Sequence, residues 1–372
     1  MLRSIVLSAL FLLSSTGAVR AQNNPASTPH GGEQVFRAAC AACHGEDGRG
    51  RPQSVVGFST PLPDFTDCSF TTPEPDADWI AIVHQGGPVR AFDRKMPAFG
   101  DALSEEQILA AIGYLRGLCR SRTWPRGELN LPRPLVTEKA FPENEAVLST
   151  TIGTGDSTGI VNQFLYEQRL GSRSQVEVAV PIEAQKGSAD AWQGGIGDIA
   201  VAAKHVLYHS LGRGTIVSVA GEMLLPTGDD GRGLGGGFTV FEPFVALGQI
   251  LPRDGFLHVQ AGVELPVGAD AANPANKEAF WRAAIGQSYM ERRFGRSWSP
   301  MIEVVAAHEI GADEGTQWDL VPQVQVTLSR RQHIMVNAGV RFAVNDRAER
   351  SVQVLTYVLW DWFDGGLFEG WR

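Results

Sequence analysis

Cysteine is scarce: four occur in 372 residues, too few for a scaffold stapled by disulfides. Positive charge is outweighed, with 32 Lys and Arg against 41 Asp and Glu, and that balance argues against a nucleic-acid partner. His205, His209, His258, His308 and His333 lack metal-ligand spacing and read as structural or exposed. The apolar run from Ile5 to Leu13 is too short for a membrane helix. With Arg3 before it and Val19-Arg20-Ala21 after it, the stretch reads as a secretory signal over residues 1–21. Gln22 to His30 is polar, contains Pro and Ser, and is expected to be disordered.

Against this background one short motif stands out, Cys40-Ala41-Ala42-Cys43-His44. Two thiols separated by two residues and followed by an imidazole are what covalent haem attachment requires. The thiolates of Cys40 and Cys43 add to the haem vinyl groups and His44 binds the iron. A bare Cys-x-x-Cys also serves dithiol pairs and half zinc sites; the trailing His44 and its surroundings select haem. One haem c per chain is expected, and a secretory signal agrees with its attachment outside the bacterial cytoplasm.

At 372 residues the chain exceeds what one core usually organises, so two domains are expected. Residues 31–122 read as a compact helical unit. Glu33 to Ala39 leads into the haem motif as a short helix. Asp76 is read as the cap of a second helix through Trp79, Ile80 and Val83, ended by Gly86-Gly87-Pro88. Ser104 and Gln107 form a capping box for a third helix that turns Ile108, Leu109, Ile112, Leu115 and Tyr114 inward. The sixth iron ligand is sought in the same unit. Met96, in the loop Lys95-Met96-Pro97-Ala98-Phe99-Gly100, is the choice, and a Met/His pair raises the potential; His84 is the rival.

Gly32-x-x-x-Phe36, Cys40-Ala41-Ala42-Cys43-His44-Gly45, Met96-Pro97-x-Phe99, Leu103-Ser104 and Tyr114-Leu115 together resemble the class I cytochromes c. The resemblance implies His44 as proximal and Met96 as distal ligand, with the first and last helices crossing near Phe36 and Tyr114. Cys68 and Cys119 lie outside the minimal pattern. In an oxidising compartment they either form a disulfide tying the loop to the last helix or stand as separate thiols.

Residues 123–144 change character. Trp124-Pro125-Arg126-Gly127 and Leu131-Pro132-Arg133-Pro134 favour extended chain, and the segment reads as a Pro-rich linker. From Glu145 the apolar period becomes two: Val176, Val178, Val180 and Ile182 alternate with Gln175, Glu177 and Ala179, and the pattern recurs after Phe256 and Gln317. Such segments begin near Glu145, Ile160, Gln175, Ile196, Thr215, Phe238, Phe256, Phe280, Met301, Gln317, Ile334 and Val352. Each runs about ten residues, the span of an outer-membrane strand. Short basic turns around Arg173, Arg213, Arg292 and Arg330 alternate with longer loops. The expected fold is therefore multidomain: a small all-α cytochrome c domain, then an antiparallel transmembrane β-barrel of about 12 strands over 145–363, then a tail at 364–372.

Asn162-x-Phe164-x-Tyr166, Pro181-Ile182, Gly195-Ile196-Gly197-Asp198-Ile199 and Leu225-Pro226-Thr227-Gly228-Asp229 resemble the outer-membrane barrels grouped under the MetA pathway of phenol degradation. That resemblance implies a transporter-type barrel without an established substrate. Alternation sends Glu177, Glu222, Glu242, Glu264 and Glu303 inward with Lys204, Arg282 and Arg341, an acid-rich set that either favours small cations or pairs across a closed lumen. An even strand count puts both barrel ends in the periplasm. The haem unit, with twelve Asp and Glu against nine Lys and Arg over 31–122, would then hang below the basic turns, which either dock it or meet lipid head groups.

The functional expectation is electron transfer at the outer membrane. A monohaem cytochrome at the periplasmic mouth would exchange electrons with a periplasmic carrier, the barrel sitting in outer-membrane lipid and a small reductant or metal ion entering by the lumen. The alternative is a transporter of small or aromatic solutes with the cytochrome as tether or redox sensor. Catalysis on an organic substrate ranks third, because Met ligation leaves the iron no open site.

Overall fold

The computed structural model describes residues 29–58, 61–153, 159–186, 191–268, 276–311, 315–345 and 350–362. The expected signal at 1–21, residues 22–28 of the polar stretch and the tail at 364–372 lie outside the described residues.

The first unit is helical: α1 Pro29–Ala39, α2 Ala41–His44, α3 Gln53–Val56, α4 Cys68–Thr71, α5 Asp76–Gln85 and α6 Glu105–Leu118. Its apolar faces close one core of Phe36, Ala41, Phe65, Trp79, Ile108, Ile112 and Leu115. The α1–α6 crossing is close because Gly32 carries no side chain, as a Cβ there would stand 2.1 Å from the Ala110 carbonyl oxygen. Phe36 and Tyr114 meet at this crossing with ring centroids 5.3 Å apart. Ser104 and Gln107 form the capping box at the start of α6. Asp76 does not cap α5. Pro75 takes the cap position, and the Asp76 carboxylate instead receives Arg116 and Arg126, both at 2.8 Å. The short helices α3 and α4 have no sequence periodicity to announce them, since four residues complete barely one turn.

The second unit is a barrel. Its strands are β1 Glu145–Gly153, β2 Gly159–Leu170, β3 Ser174–Lys186, β4 Trp192–Ile196, β5 Ile199–Ser210, β6 Thr215–Leu225, β7 Thr239–Leu251, β8 Gly255–Val267, β9 Glu278–Gln287, β10 Tyr289–Met290, β11 Ser297–Glu309, β12 Gln317–Thr327, β13 Ile334–Ala343 and β14 Gln353–Asp361. Neighbours pair antiparallel, β1 pairs with β14, and the β9–β11 ladder closes the cylinder. The short β4 pairs with the end of β3, and β10 pairs with β11 just past β9, so the wall has twelve staves.

The strand period of two sorts residues by face. Leu148, Phe164, Val178, Ile182, Val245, Ile285, Ile302 and Val358 point outward and are exposed. An apolar outer face of this extent suits hydrocarbon, since closed barrels leave no unpaired strand edge in lipid. Inward stand Gln175, Glu177, Lys204, Ser218, His258, Gln260, Glu303, Gln323 and Asn337, all buried.

What buries them is the segment after the helical unit. Residues 127–143 are not free linker: they run inside the barrel as a plug. Leu129, Ala140 and Phe141 join Val206, Ile216, Phe244, Ala246 and Phe280 of the wall in one apolar cluster, and Leu131 packs with Phe256 and Met301 in another. Leu135 lies over Gly339 of β13, where a Cβ would stand 2.7 Å from its Cδ1; the bare backbone makes room for the plug. Proline favours an extended path and lacks an N–H, which suits a chain whose remaining backbone groups must find partners on the wall.

Candidate functional site: the haem motif and the plugged lumen

α1 ends at the motif. Cys40 precedes α2, its carbonyl accepts hydrogen bonds from the Cys43 and His44 amides at 3.1 and 3.0 Å, and both cysteines are unbonded and half-buried. This single turn holds the two thiols and the imidazole together. The His44 ring lies 5.2 Å from Phe65, which lies 5.3 Å from Trp79. Burial pushes His44 down to about 4, and its Nδ1 is buried without a hydrogen-bond partner among the described residues. A half-buried neutral imidazole with an orphaned, buried nitrogen, beside two free thiols and a wall of aromatic rings, fits the donor set of haem c. Burial, then the neighbouring Cys43, pushes the free Cys40 thiol up to about 11.

Met96 is half-buried, in a loop fastened to the end of α5. Its carbonyl accepts the Gly87 amide at 3.0 Å, and Phe99 and Gly100 donate to the Val83 and His84 carbonyls at 2.9 and 3.0 Å. His84 is turned to the barrel: its ring meets Phe294 at 5.3 Å, and Nε2 lies 3.4 Å from Arg293 Nη1. Cys68 and Cys119 are bonded to each other, joining α4 to the end of α6.

The helical unit rests on the barrel end that carries residues 145 and 361. Arg90 donates to the Phe294 carbonyl at 2.9 Å while paired with Asp78. His333 lies between Glu74 at 2.9 Å and Asp361 at 3.3 Å, and Arg293 reaches Glu105 at 3.0 Å. Arg173 donates to the Thr123 carbonyl at 3.1 Å, and Arg331 covers the Phe92 ring at 4.4 Å. Three basic turns thus hold the unit, through Arg173, Arg293 and Arg331. The histidine His333, read from sequence as merely structural or exposed, is a joint between the two units. A cavity between them is lined by Glu74, Asp78, Arg90, Arg133, His333 and Asp361.

The inward charges fall into two groups. Glu303 takes the plug amides of Leu135 at 2.8 Å, Val136 at 3.1 Å and Thr137 at 2.7 Å, and the Thr137 hydroxyl at 2.7 Å. Arg133 of the plug is buried among Glu145 at 2.6 Å, Glu167 at 3.0 Å and Glu138 at 3.3 Å. Lys204 donates to the Lys139 carbonyl at 3.0 Å and lies 3.5 Å from Glu177. His258 meets the Pro132 carbonyl at 3.0 Å, and Tyr357 and Asn337 donate to the Arg133 carbonyl. Sequence alternation marked Glu177, Lys204 and Glu303 but not their plug partners, because residues 127–143 have no period to read. Glu222, Glu242, Glu264, Arg282 and Arg341 stand nearer the opposite mouth. Of these, Arg341 pairs with Asp319 at 2.5 Å.

A helical unit carrying the Cys40-Ala41-Ala42-Cys43-His44 turn, docked on a plugged twelve-stave barrel, has the fold of a cytochrome c domain joined to a membrane-type barrel. Residues 27–115 match the family model described as "Cytochrome C oxidase, cbb3-type, subunit III". No curated protein sequence matches the chain. Among solved structures, the chain is similar to an outer membrane channel from Pseudomonas putida F1, at 12% identity, a TM-score of 0.45, and coverage of 62% of this chain and 99% of that one. It is also similar to the NanC porin, at 8% identity and a TM-score of 0.40, covering 58% and 98%, and to LpxR from Salmonella typhimurium, at 8%, 0.37, 58% and 99%.

Proposed function

We propose that the chain is an outer-membrane electron-transfer protein, with a c-type haem held by Cys40, Cys43 and His44 and closed by Met96, on the periplasmic end of a barrel that serves as its anchor. Bound haem supplies a one-electron Fe(III)/Fe(II) couple. The chain's own residues hold it. Cys40 and Cys43 would fix its edge, half-buried His44 would present a neutral ring nitrogen, and the Gly86-Gly87 turn fastens the Met96 loop. The Cys68–Cys119 bond and the Arg116–Asp76 pair brace the surrounding helices. A periplasmic carrier is the exchange partner in this reading.

The observation that carries the reading is the plug. A barrel filled by its own chain, with a cytochrome domain bolted below, supports an anchor over a standing pore. In a transporter of small or aromatic solutes, which the MetA-pathway motifs imply, residues 127–143 would have to leave the lumen. A redox-titrated visible spectrum of the purified protein tests the haem half. The weak Met-to-ferric-iron charge-transfer band is expected, and its loss in Met96→Ala; ready carbon monoxide binding by the ferrous wild type would overturn Met96 as ligand. Planar-bilayer recording tests the barrel half: a closed wild type is expected, and steady conductance would favour transport.

A further inference from the structure

Above the plug the wall carries glutamates of a different kind. Glu222 on β6 is in register with Glu242 on β7. Glu242 lies on the β7–β8 ladder between the pairs Phe241↔Leu265 and Phe244↔Gly262, which sets it against Glu264. Glu264 faces Glu278 on β9, and Glu278 faces Glu309 on β11. Five adjacent staves therefore each add one carboxylate to a continuous row near the mouth opposite the cytochrome domain. All five share the inward face with the buried Phe244, Phe280 and Val305. Directly opposed side chains stand about 5 Å apart at Cβ, and like charges so placed repel.

The row is short of cations. Arg282, on the inward face of β9, acts on Glu222, Glu242 and Glu278, and Arg341 acts on Glu278 while paired with Asp319, so two arginines stand against five glutamates. Glu242 is only 8% exposed, faces the lumen, and has no hydrogen-bond or ion-pair partner among the described residues. The residue is enclosed while its carboxylate opens to the lumen, where a proton or a cation can neutralise it. The tighter group of Glu138, Glu167 and Glu177 is no rival, because the cations Arg133 and Lys204 already stand against its carboxylates, although Glu138 Oε2 has no hydrogen-bond partner among the described residues.

We propose that this row binds a divalent metal cation. Carboxylate oxygens are the ligands such hard cations prefer. The row supplies opposed pairs of carboxylates rather than a converging triad, so the ion is held by one pair and keeps part of its water shell. The proposal rests on the barrel wall and not on the haem.

Purified, haem-loaded, full-length protein is titrated with Mn2+ at neutral pH, and binding is followed by loss of the free-ion electron paramagnetic resonance signal. Saturable binding is expected, weakened at least tenfold in the double variant Glu242→Gln/Glu264→Gln and tightened severalfold in Arg282→Gln. Folding is checked by heat-modifiable gel migration, and the haem spectrum is recorded on the same samples, so loss of Mn2+ with an unchanged spectrum is independent of the electron-transfer reading. Should the central pair fail to assemble, Glu222→Gln/Glu309→Gln, at the two ends of the row, is expected to weaken binding in the same direction. No saturable binding by the wild type, or binding unchanged in the folded variants, would overturn the site and mark the row as protonated.

Discussion

The lumen near the cytochrome domain and the lumen near the far mouth are lined by the same residue type, placed inward by the same strand alternation. In the near half, Glu145, Glu167, Glu177 and Glu303 are matched by Arg133, Lys204 and the amides of the plug. In the far half, Glu222, Glu242, Glu264, Glu278 and Glu309 face one another across the ladders. Position on the wall is equivalent; what differs is the chain that comes to meet it. A carboxylate that accepts several hydrogen bonds orders the structure, whereas one facing another carboxylate waits for a counter-ion.

The widest split is expected from two arginine variants. Arg133→Met strips the cation from the buried Glu145 and Glu167 and the half-buried Glu138 and should destabilise by about 3–5 kcal/mol, read as a fall in the temperature at which the folded gel band is lost. Arg282→Gln should change that temperature far less, by under about 1 kcal/mol. Equal effects would erase the distinction between the halves.

Glu303→Ala comes next. It leaves the amides of Val136 and Thr137 without their acceptor, a penalty of about 1–3 kcal/mol for each group that stays unsatisfied, whereas the Leu135 amide keeps Gln323 at 3.0 Å. The plug should loosen enough for planar-bilayer conductance to appear. A variant as closed as the wild type would mean that the remaining wall contacts alone hold the segment.

A smaller effect is expected below the barrel, where burial and then the charge of Glu74 push Asp78 up to about 6 in spite of Arg90. The unfolded carboxyl titrates near 3.9. Between these values the folded chain keeps a proton that the unfolded chain has lost, so stability falls as pH rises through the window and levels off above it. Thermal melts followed at the haem absorbance should therefore shift upward from pH 7 to pH 5, and Asp78→Asn should remove that shift. The smallest change is expected from Glu242→Gln without divalent ions: melting within about 0.5 kcal/mol of wild type or slightly raised, because the variant relieves repulsion.

Much of this was legible in the residues themselves. Cys40, Cys43 and His44 are local in sequence and need only one helical turn to meet. The period of two from Glu145 onward assigned faces to Glu177, Glu242 and Glu303 before any partner was known, because strand geometry alone fixes which side a residue takes. Asp76 departs from its expected place as a helix cap for an equally local reason. The residue that suits a helix cap is also one that pairs with arginine, and Arg116, forty positions away, took it.

Residues 127–143 show where local reading ended. A Pro-rich stretch with no period looks like a tether whether it crosses open water or the inside of a barrel. Sequence alone determined the local turn that brings Cys40, Cys43 and His44 together, the helical and stranded halves and the inward face of the wall, since each depends on spacing along the chain. Tertiary structure decided that the tether is a plug, that His333 joins the two units, and that five glutamates from five staves share one row. Those depend on ladder register and on which distant segment fills the lumen, and neither is written in the spacing of neighbours.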